Sequence, residues 1–261
     1  VLAHHYAPRL GERIADISVG ASALTLLVAL VLFGHQLGAT AGTLVGFGPA
    51  VFTLYVDWLS TLMAVLVSGV GLVVHAYSVR YMRDDPAYLR FFLLLDGIIA
   101  VILLMVLAGD LLTLLIAWHL LGWFLYFLLN HQMARPSATR FAFWTLFTHR
   151  IGDLPLLAAT GLIYHSFGTL SLPAVFEQVA ANPGATTLFG LPLTETIGLL
   201  ILLAAFAKSA QFPLHTWLPY TMGGPTPVSA LMHAGIVNAG GFLINRFAPV
   251  FVHTEFVLLL A

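Results

Sequence analysis

Apolar residues in this chain run together instead of alternating. Residues 18–33 and 91–109 read as apolar on every face, the pattern of a helix surrounded by lipid rather than one resting on a core. A transmembrane β-strand would alternate over about ten residues, and Leu93-Leu94-Leu95 does not. A helix needs about 20 residues to cross the hydrocarbon. The pattern therefore predicts an all-α, polytopic membrane protein of seven to eight spans. Seven lie near 16–34, 57–79, 91–108, 111–130, 141–164, 193–218 and 227–247, and an eighth begins near 249. Turn chemistry separates them at Asp84-Asp85-Pro86, Gly109-Asp110, Arg135-Pro136-Ser137, Asn182-Pro183-Gly184 and Gly223-Gly224-Pro225. The stretch 35–56 reads as a glycine-rich loop, and 166–190 as the longest loop, carrying a short surface helix.

Composition agrees. Charged residues make up 8% of 261 and hydrophobic ones 60%, with a mean hydropathy of +0.97. A soluble domain carries roughly 25% charged residues. The absence of cysteine excludes disulfides, thiolate metal sites and cysteine nucleophiles. A net charge of −1 offers no basic patch for nucleic acid. Residues 1–15 are polar, without the basic-then-apolar order of a signal peptide. Val1 at one end and the apolar run 256–261 at the other suggest a portion of a longer polypeptide.

The arginines predict orientation. With a cytoplasmic N-terminal segment, Arg9, Arg13, Arg80, Arg83, Arg90, Arg135 and Arg140 share one side, against Arg246 alone on the other. That bias places the N-terminal segment inside the cell, with the chain in the inner membrane.

Ionisable groups at membrane depth carry the chemistry, since each costs about 2.5–3.5 kcal/mol to insert. The candidates are His119, His149, Arg150, Asp153, Lys208 and His233. Lys208 is the strongest: it is the only lysine and follows the apolar run 197–207. Burial makes a lysine a proton exchanger near neutral pH; the simpler alternative is a side chain that snorkels to the interface. Pro213 would clash with the carbonyl of Ser209 in a continuous helix, and Pro225 and Pro227 follow, so a broken helix is expected across 213–227. His233 lies six residues into the next span, among small and polar neighbours, and could relay a proton or simply hold a carbonyl. Arg150 and Asp153, three apart, share a helix face as a functional or a self-neutralising pair. His119 and His149 are weaker candidates. No metal site, glycine-rich nucleotide fingerprint or His-Glu-x-x-His occurs, so no cofactor and no catalytic centre of its own are expected in this chain.

Several stretches resemble a known family. Lys208-Ser-Ala-Gln-Phe-Pro213, Trp217-Leu-Pro and Pro225-Thr-Pro-Val-Ser-Ala-Leu-Met-His233 are similar to the antiporter-like membrane subunits of respiratory complex I and the Mrp antiporters. So are His75-Ala-Tyr-Ser-Val-Arg-Tyr-Met82, Arg90-Phe-Phe92, Arg135-Pro-Ser-Ala138 and Arg150-Ile-Gly-Asp153, in the same order. The resemblance implies two inverted five-helix repeats, each with a broken helix and a lysine near mid-membrane. On that reading 1–90 holds the N-terminal loop and two peripheral spans, 91–247 the first repeat, and 248–261 the start of a further span. The family pairs its lysine with a glutamate in a Trp-Glu dipeptide, and the corresponding residues here are Trp118-His119. The stretch Ala234-Gly-Ile-Val-Asn-Ala-Gly-Gly-Phe-Leu243 looks like the membrane subunit of the DAB inorganic-carbon transporters.

These readings converge on a proton- or sodium-translocating subunit. Lys208 would titrate, His233 relay, Asp153 or Arg150 modulate, and His119 replace the carboxylate. Its gradient would energise CO2 or bicarbonate uptake with a peripheral zinc, carbonic-anhydrase-like partner and other membrane subunits. The alternative is a subunit of complex I or of an Mrp antiporter. Two rivals differ in class: a haem protein ligated by His119, His149 and His233, and a purely structural subunit.

Overall fold

The computed structural model describes residues 2–39, 41–46, 52–131, 135–187, 190–255 and 257. Seven helical stretches follow the predicted spans. They are α1 (Leu2–Gln36), α2 (Trp58–Tyr81), α3 (Tyr88–Leu107), α4 (Leu111–Leu129), α5 (Pro136–Phe167), α7 (Leu193–Lys208) and a composite of α9 (Thr226–Leu231), a π-turn (Met232–Ile236) and α10 (Ala239–Arg246). Between them lie α6 (Leu172–Ala181) and α8 (Trp217–Tyr220), and α11 (Ala248–Phe251) ends the series. Neighbours in sequence pack side by side from α1 to α5; α5 then packs on α7, and α7 on α10.

Five of these stretches are long and apolar enough to cross a membrane: Arg13–Gln36 within α1, α2, α3, α4 and Thr226–Arg246. The other two depart for different reasons. Helix α5 is long, 32 residues, yet carries Arg140, Arg150 and Asp153. Helix α7 stops after 16 residues at Lys208. The expected eighth span is, among the described residues, the four-residue α11 followed by a turn; residues 256 and 258–261 of that expectation lie outside them.

The expected loop at 35–56 is corrected. It contains a two-stranded antiparallel hairpin, β1 (Thr43–Gly46) and β2 (Thr53–Val56), with Thr43 opposite Val56. Buried Asp110 ties that hairpin to the helices. Its Oδ2 accepts from the Thr53 amide at 2.7 Å and from the Thr53 hydroxyl at 2.9 Å. It also caps α4, accepting from the Thr113 amide and hydroxyl, each at 2.8 Å. Four donors converge on one carboxylate, so Asp110→Ala leaves several of them unmet in a buried place. The expected loss is about 2 kcal/mol or more, read as a lower thermal midpoint of the full-length protein in detergent, with Asp110→Asn recovering part of it. The surface helix expected in 166–190 is α6, which buries Leu172, Val175 and Val179.

Candidate functional site

Helix α7 ends at the lysine by a defined mechanism. Ala210 takes a left-handed conformation, φ 49°, and the Gln211 amide bonds back to the Phe206 carbonyl at 2.9 Å. This is the six-to-one closure of a Schellman cap, built here on alanine where glycine is usual. The carbonyl of Ala207 accepts the indole N–H of buried Trp217 at 2.9 Å. The break therefore begins at Ser209, whose carbonyl Pro213 would have struck in a continuous helix. Ser209 Oγ then donates to the Val237 carbonyl at 2.7 Å, fastening the break to the following helix.

Lys208 does not snorkel. It is 0% exposed, and its Nζ donates to the Trp118 carbonyl at 2.8 Å while lying 5.0 Å from the Trp118 ring centroid. Close packing by small residues makes room for it. A Cβ on Gly152 would overlap the Cβ of Ala207, so α5 and α7 meet at van der Waals distance beside the lysine.

The charged side chains within electrostatic reach of Lys208 are Asp153 and Arg150, both from α5. Here the structure supplies what the Trp118-His119 dipeptide lacks: the carboxylate comes from the next helix. Asp153 Oδ2 meets Arg150 Nη1 at 3.0 Å and His119 Nδ1 at 2.8 Å. The Trp123 indole N–H can only donate, and it reaches His119 Nε2 at 3.2 Å. Arg150 closes the group, its Nη1 against the His119 ring and its Nη2 donating to the His119 carbonyl at 2.9 Å. Gly122 gives the guanidinium its space, since a Cβ there would overlap Arg150 Nη2.

His149 belongs to the same centre. It is 0% exposed, edge-on to the Trp217 ring at 4.6 Å, with Lys208 and Arg150 as its charged neighbours. Among the described residues neither of its ring nitrogens has a hydrogen-bond partner, and Asp153 Oδ1 is likewise buried without one. Buried polar groups in this state need a reason beyond stability. On the outer side, His119, Arg150 and Asp153 open into a crevice of about 430 Å³ between α4 and α5, otherwise walled by leucine and isoleucine.

Five of the six sequence candidates thus gather in one place. His233 stands apart. It is exposed on the π-turn, and among the described residues no hydrogen bond or ion pair joins it to the Lys208 centre. Pro213 lies in the break, while Pro225 and Pro227 flank the start of α9.

Sequence reasoning missed one polar group. Asp96 of α3 falls inside the run read as apolar on every face. Its Oδ1 lies 3.0 Å from His75 Nε2 of α2 and accepts the Ser18 hydroxyl of α1 at 2.7 Å. A lone acid in so apolar a run was the available signal.

Residues 108–260 match the family model described as NADH:quinone oxidoreductase/Mrp antiporter, TM. Residues 45–92 match that of the N-terminus of complex I chain 5. The chain belongs to this family. It is 56% identical, over 99% of its length, to the "Probable inorganic carbon transporter subunit DabB1" of Halothiobacillus neapolitanus, and covers 46% of that protein. It is 42% identical over 77% of its length to NADH-quinone oxidoreductase subunit L of Mycobacterium tuberculosis, covering 31% of it. The chain therefore spans about half or less of the relatives it matches. A chain of the Mrp complex from a Dietzia species superposes with a TM-score of 0.70 at 32% identity, over 94% of this chain and 28% of its own. An archaeal membrane-bound sulfane sulfur reductase shares the fold, with a TM-score of 0.82 at 18% identity over 99% of this chain and 53% of its own.

Proposed function

We propose that this chain is the Lys208-bearing portion of a proton- or sodium-translocating membrane subunit whose gradient drives inorganic carbon uptake. The observation that carries the ion-translocating part is the buried ammonium at a helix break, beside a carboxylate and a histidine with unmet hydrogen-bonding capacity. A lysine taken out of lipid and water at a capped helix end costs several kcal/mol, of which one carbonyl bond and the Trp118 ring offset only a part. A titrating role is a reason for keeping it there. Lys208 takes and releases a proton, Asp153 is its counter-charge, and Arg150 and His119 set how much of that charge Lys208 feels. His233 passes the ion onward from the exposed face of the π-turn. A break whose cap hangs on Trp217 and Ser209 is the element that protonation biases. The inorganic-carbon part rests on the similarity to the Halothiobacillus protein, and its partner is a peripheral zinc protein of the carbonic-anhydrase class.

The second reading, a complex I or Mrp subunit, is favoured by the Mycobacterium and Dietzia relatives. Purification of the full-length protein from its native membrane separates the two. Co-isolation of a zinc protein and bicarbonate accumulation that collapses when the proton or sodium gradient is dissipated are the expected results. Co-isolated flavin and iron–sulfur subunits would move the assignment to complex I, and a set of further antiporter-like subunits to Mrp. Bicarbonate accumulation indifferent to both gradients would overturn the ion-coupled reading itself.

A further inference from the structure

The Ser18, His75 and Asp96 group has no place in the Lys208 centre, and its geometry carries chemistry of its own. Asp96 lies eight residues into α3 and His75 six residues from the end of α2. At 1.5 Å per residue both sit about 9–12 Å inside their helices, measured from the turn that joins them. His75 is 1% exposed, whereas the Asp96 side chain is 41% exposed.

The hydrogen bonds fix where protons can be. His75 Nδ1 lies 2.7 Å from the Gly71 carbonyl, and a carbonyl oxygen only accepts, so Nδ1 carries hydrogen. In a neutral imidazole Nε2 would then be a bare lone pair. Yet Nε2 faces Asp96 Oδ1 at 3.0 Å, and the same Oδ1 already accepts from Ser18. A lone pair directed at a carboxylate oxygen repels; a proton between them binds. Oδ1 already accepts the Ser18 hydroxyl, which suits a carboxylate that accepts a second hydrogen better than an acid that donates one, so the proton is assigned to Nε2 as an imidazolium against a carboxylate. Its departure would turn an attractive contact into a repulsive one.

We propose that Ser18, His75 and Asp96 form a second proton-binding site in the membrane, holding one exchangeable proton between His75 Nε2 and Asp96 Oδ1. His75 is sealed by α2 and α3, with the Phe92 ring 6.2 Å away. Asp96 supplies the exposed door through which the proton exchanges. Other charged or titratable groups among the described residues of the packed elements are Arg13, Asp16 and His35 of α1, Tyr55 of β2, Tyr77, Arg80 and Tyr81 of α2, Tyr88 and Arg90 of α3, His119 and Tyr126 of α4, and His233 of the π-turn. Among the described residues, the hydrogen-bond and ion-pair partners of Asp96 are Ser18 and His75. The site is therefore separate from Lys208, and proton binding there stands whether or not the transport reading does.

Nitrogen-15 NMR of histidine in the full-length protein in lipid tests this directly, with His75→Gln identifying the signal. The expected wild-type His75 signal at neutral pH has both ring nitrogens protonated. Asp96→Asn keeps an oxygen for Ser18 but removes the charge, so the doubly protonated signal falls about tenfold or more at the same pH. Asp96→Glu restores it, which a merely structural pair would not require. Lys208→Met leaves it unchanged. A His75 that is neutral in the wild type, or equally protonated in Asp96→Asn, overturns the proposal. Ion flux in the Lys208 variants, read on the same samples, reports separately on the transport reading.

Discussion

Lys208→Ala in the full-length protein is expected to abolish ion-coupled activity while the complex still assembles. The bond it removes is to the Trp118 carbonyl, which keeps its place in the helical ladder of α4, so no backbone group is orphaned. The cap that ends α7 relies on Ala210, Gln211 and Trp217 rather than on the lysine side chain. What disappears is the group that exchanges the ion, and a loss of at least about a hundredfold in flux is expected from a positioned acid–base residue. Lys208→Met separates charge from volume, because it fills the same space with an unbranched apolar chain. It is expected to match Lys208→Ala in flux and exceed it in thermal stability. Flux in proteoliposomes under an imposed pH or sodium gradient gives the answer, and wild-type flux in either variant would sink the assignment.

The second large effect is expected at Gly240. A Cβ there would overlap the Ala205 carbonyl oxygen and Ser209 Oγ. The first is backbone and cannot rotate away; the second holds the bond to Val237 that fastens the break. Gly240→Val must therefore push α10 off the end of α7. Overpacking of this kind costs about 1–3 kcal/mol, and here it also frees the turn that positions Lys208. A lower thermal midpoint together with a marked loss of flux is expected. Gly241→Ala is the matched control, since nothing lies within 4 Å of its added Cβ. Its midpoint should stay at or slightly above wild type, as alanine loses less backbone entropy than glycine on entering a helix. Equal midpoints for the two variants would show that the seam is not tight.

Much of this centre was readable in advance. Lys208 stood out because a lone charge in a run such as 197–207 contradicts every neighbour. Arg150 and Asp153 stood out because a spacing of three puts them on one helical face, and they do pair. The expected weak point was the partner of the lysine, since the fourth span offers His119 where the family has glutamate. Nothing local to α4 could show that the Asp153 charge lies near Lys208, because which residues of α5 face α7 depends on how the two helices are rotated. Gly152 against Ala207 sets that rotation. The π-turn is a further case. His233 lies on it and is exposed, and the register shift that a π-turn introduces is invisible to a 3.6-residue period.

The patterning of the chain alone determined that it is helical and membrane-embedded, because a bilayer filters composition residue by residue and needs no partner to do so. It also predicted that the helix breaks at Pro213, because proline acts within its own turn, but α7 ends earlier, at Lys208, through the cap at Ala210. Only the tertiary structure decided what surrounds Lys208 and what Asp96 does. Those depend on proximity across 55 to 90 residues of chain, the Asp153 charge acting on Lys208 and the Trp118 carbonyl bonded to it, and across 78 from Ser18 to Asp96. Helix rotation and small-residue packing choose such pairs, and no one-dimensional period records either. Lys208 could be found as an anomaly in the sequence, but the Trp118 carbonyl, Asp153 and the unpartnered His149 that give it a chemical setting exist only in the folded chain.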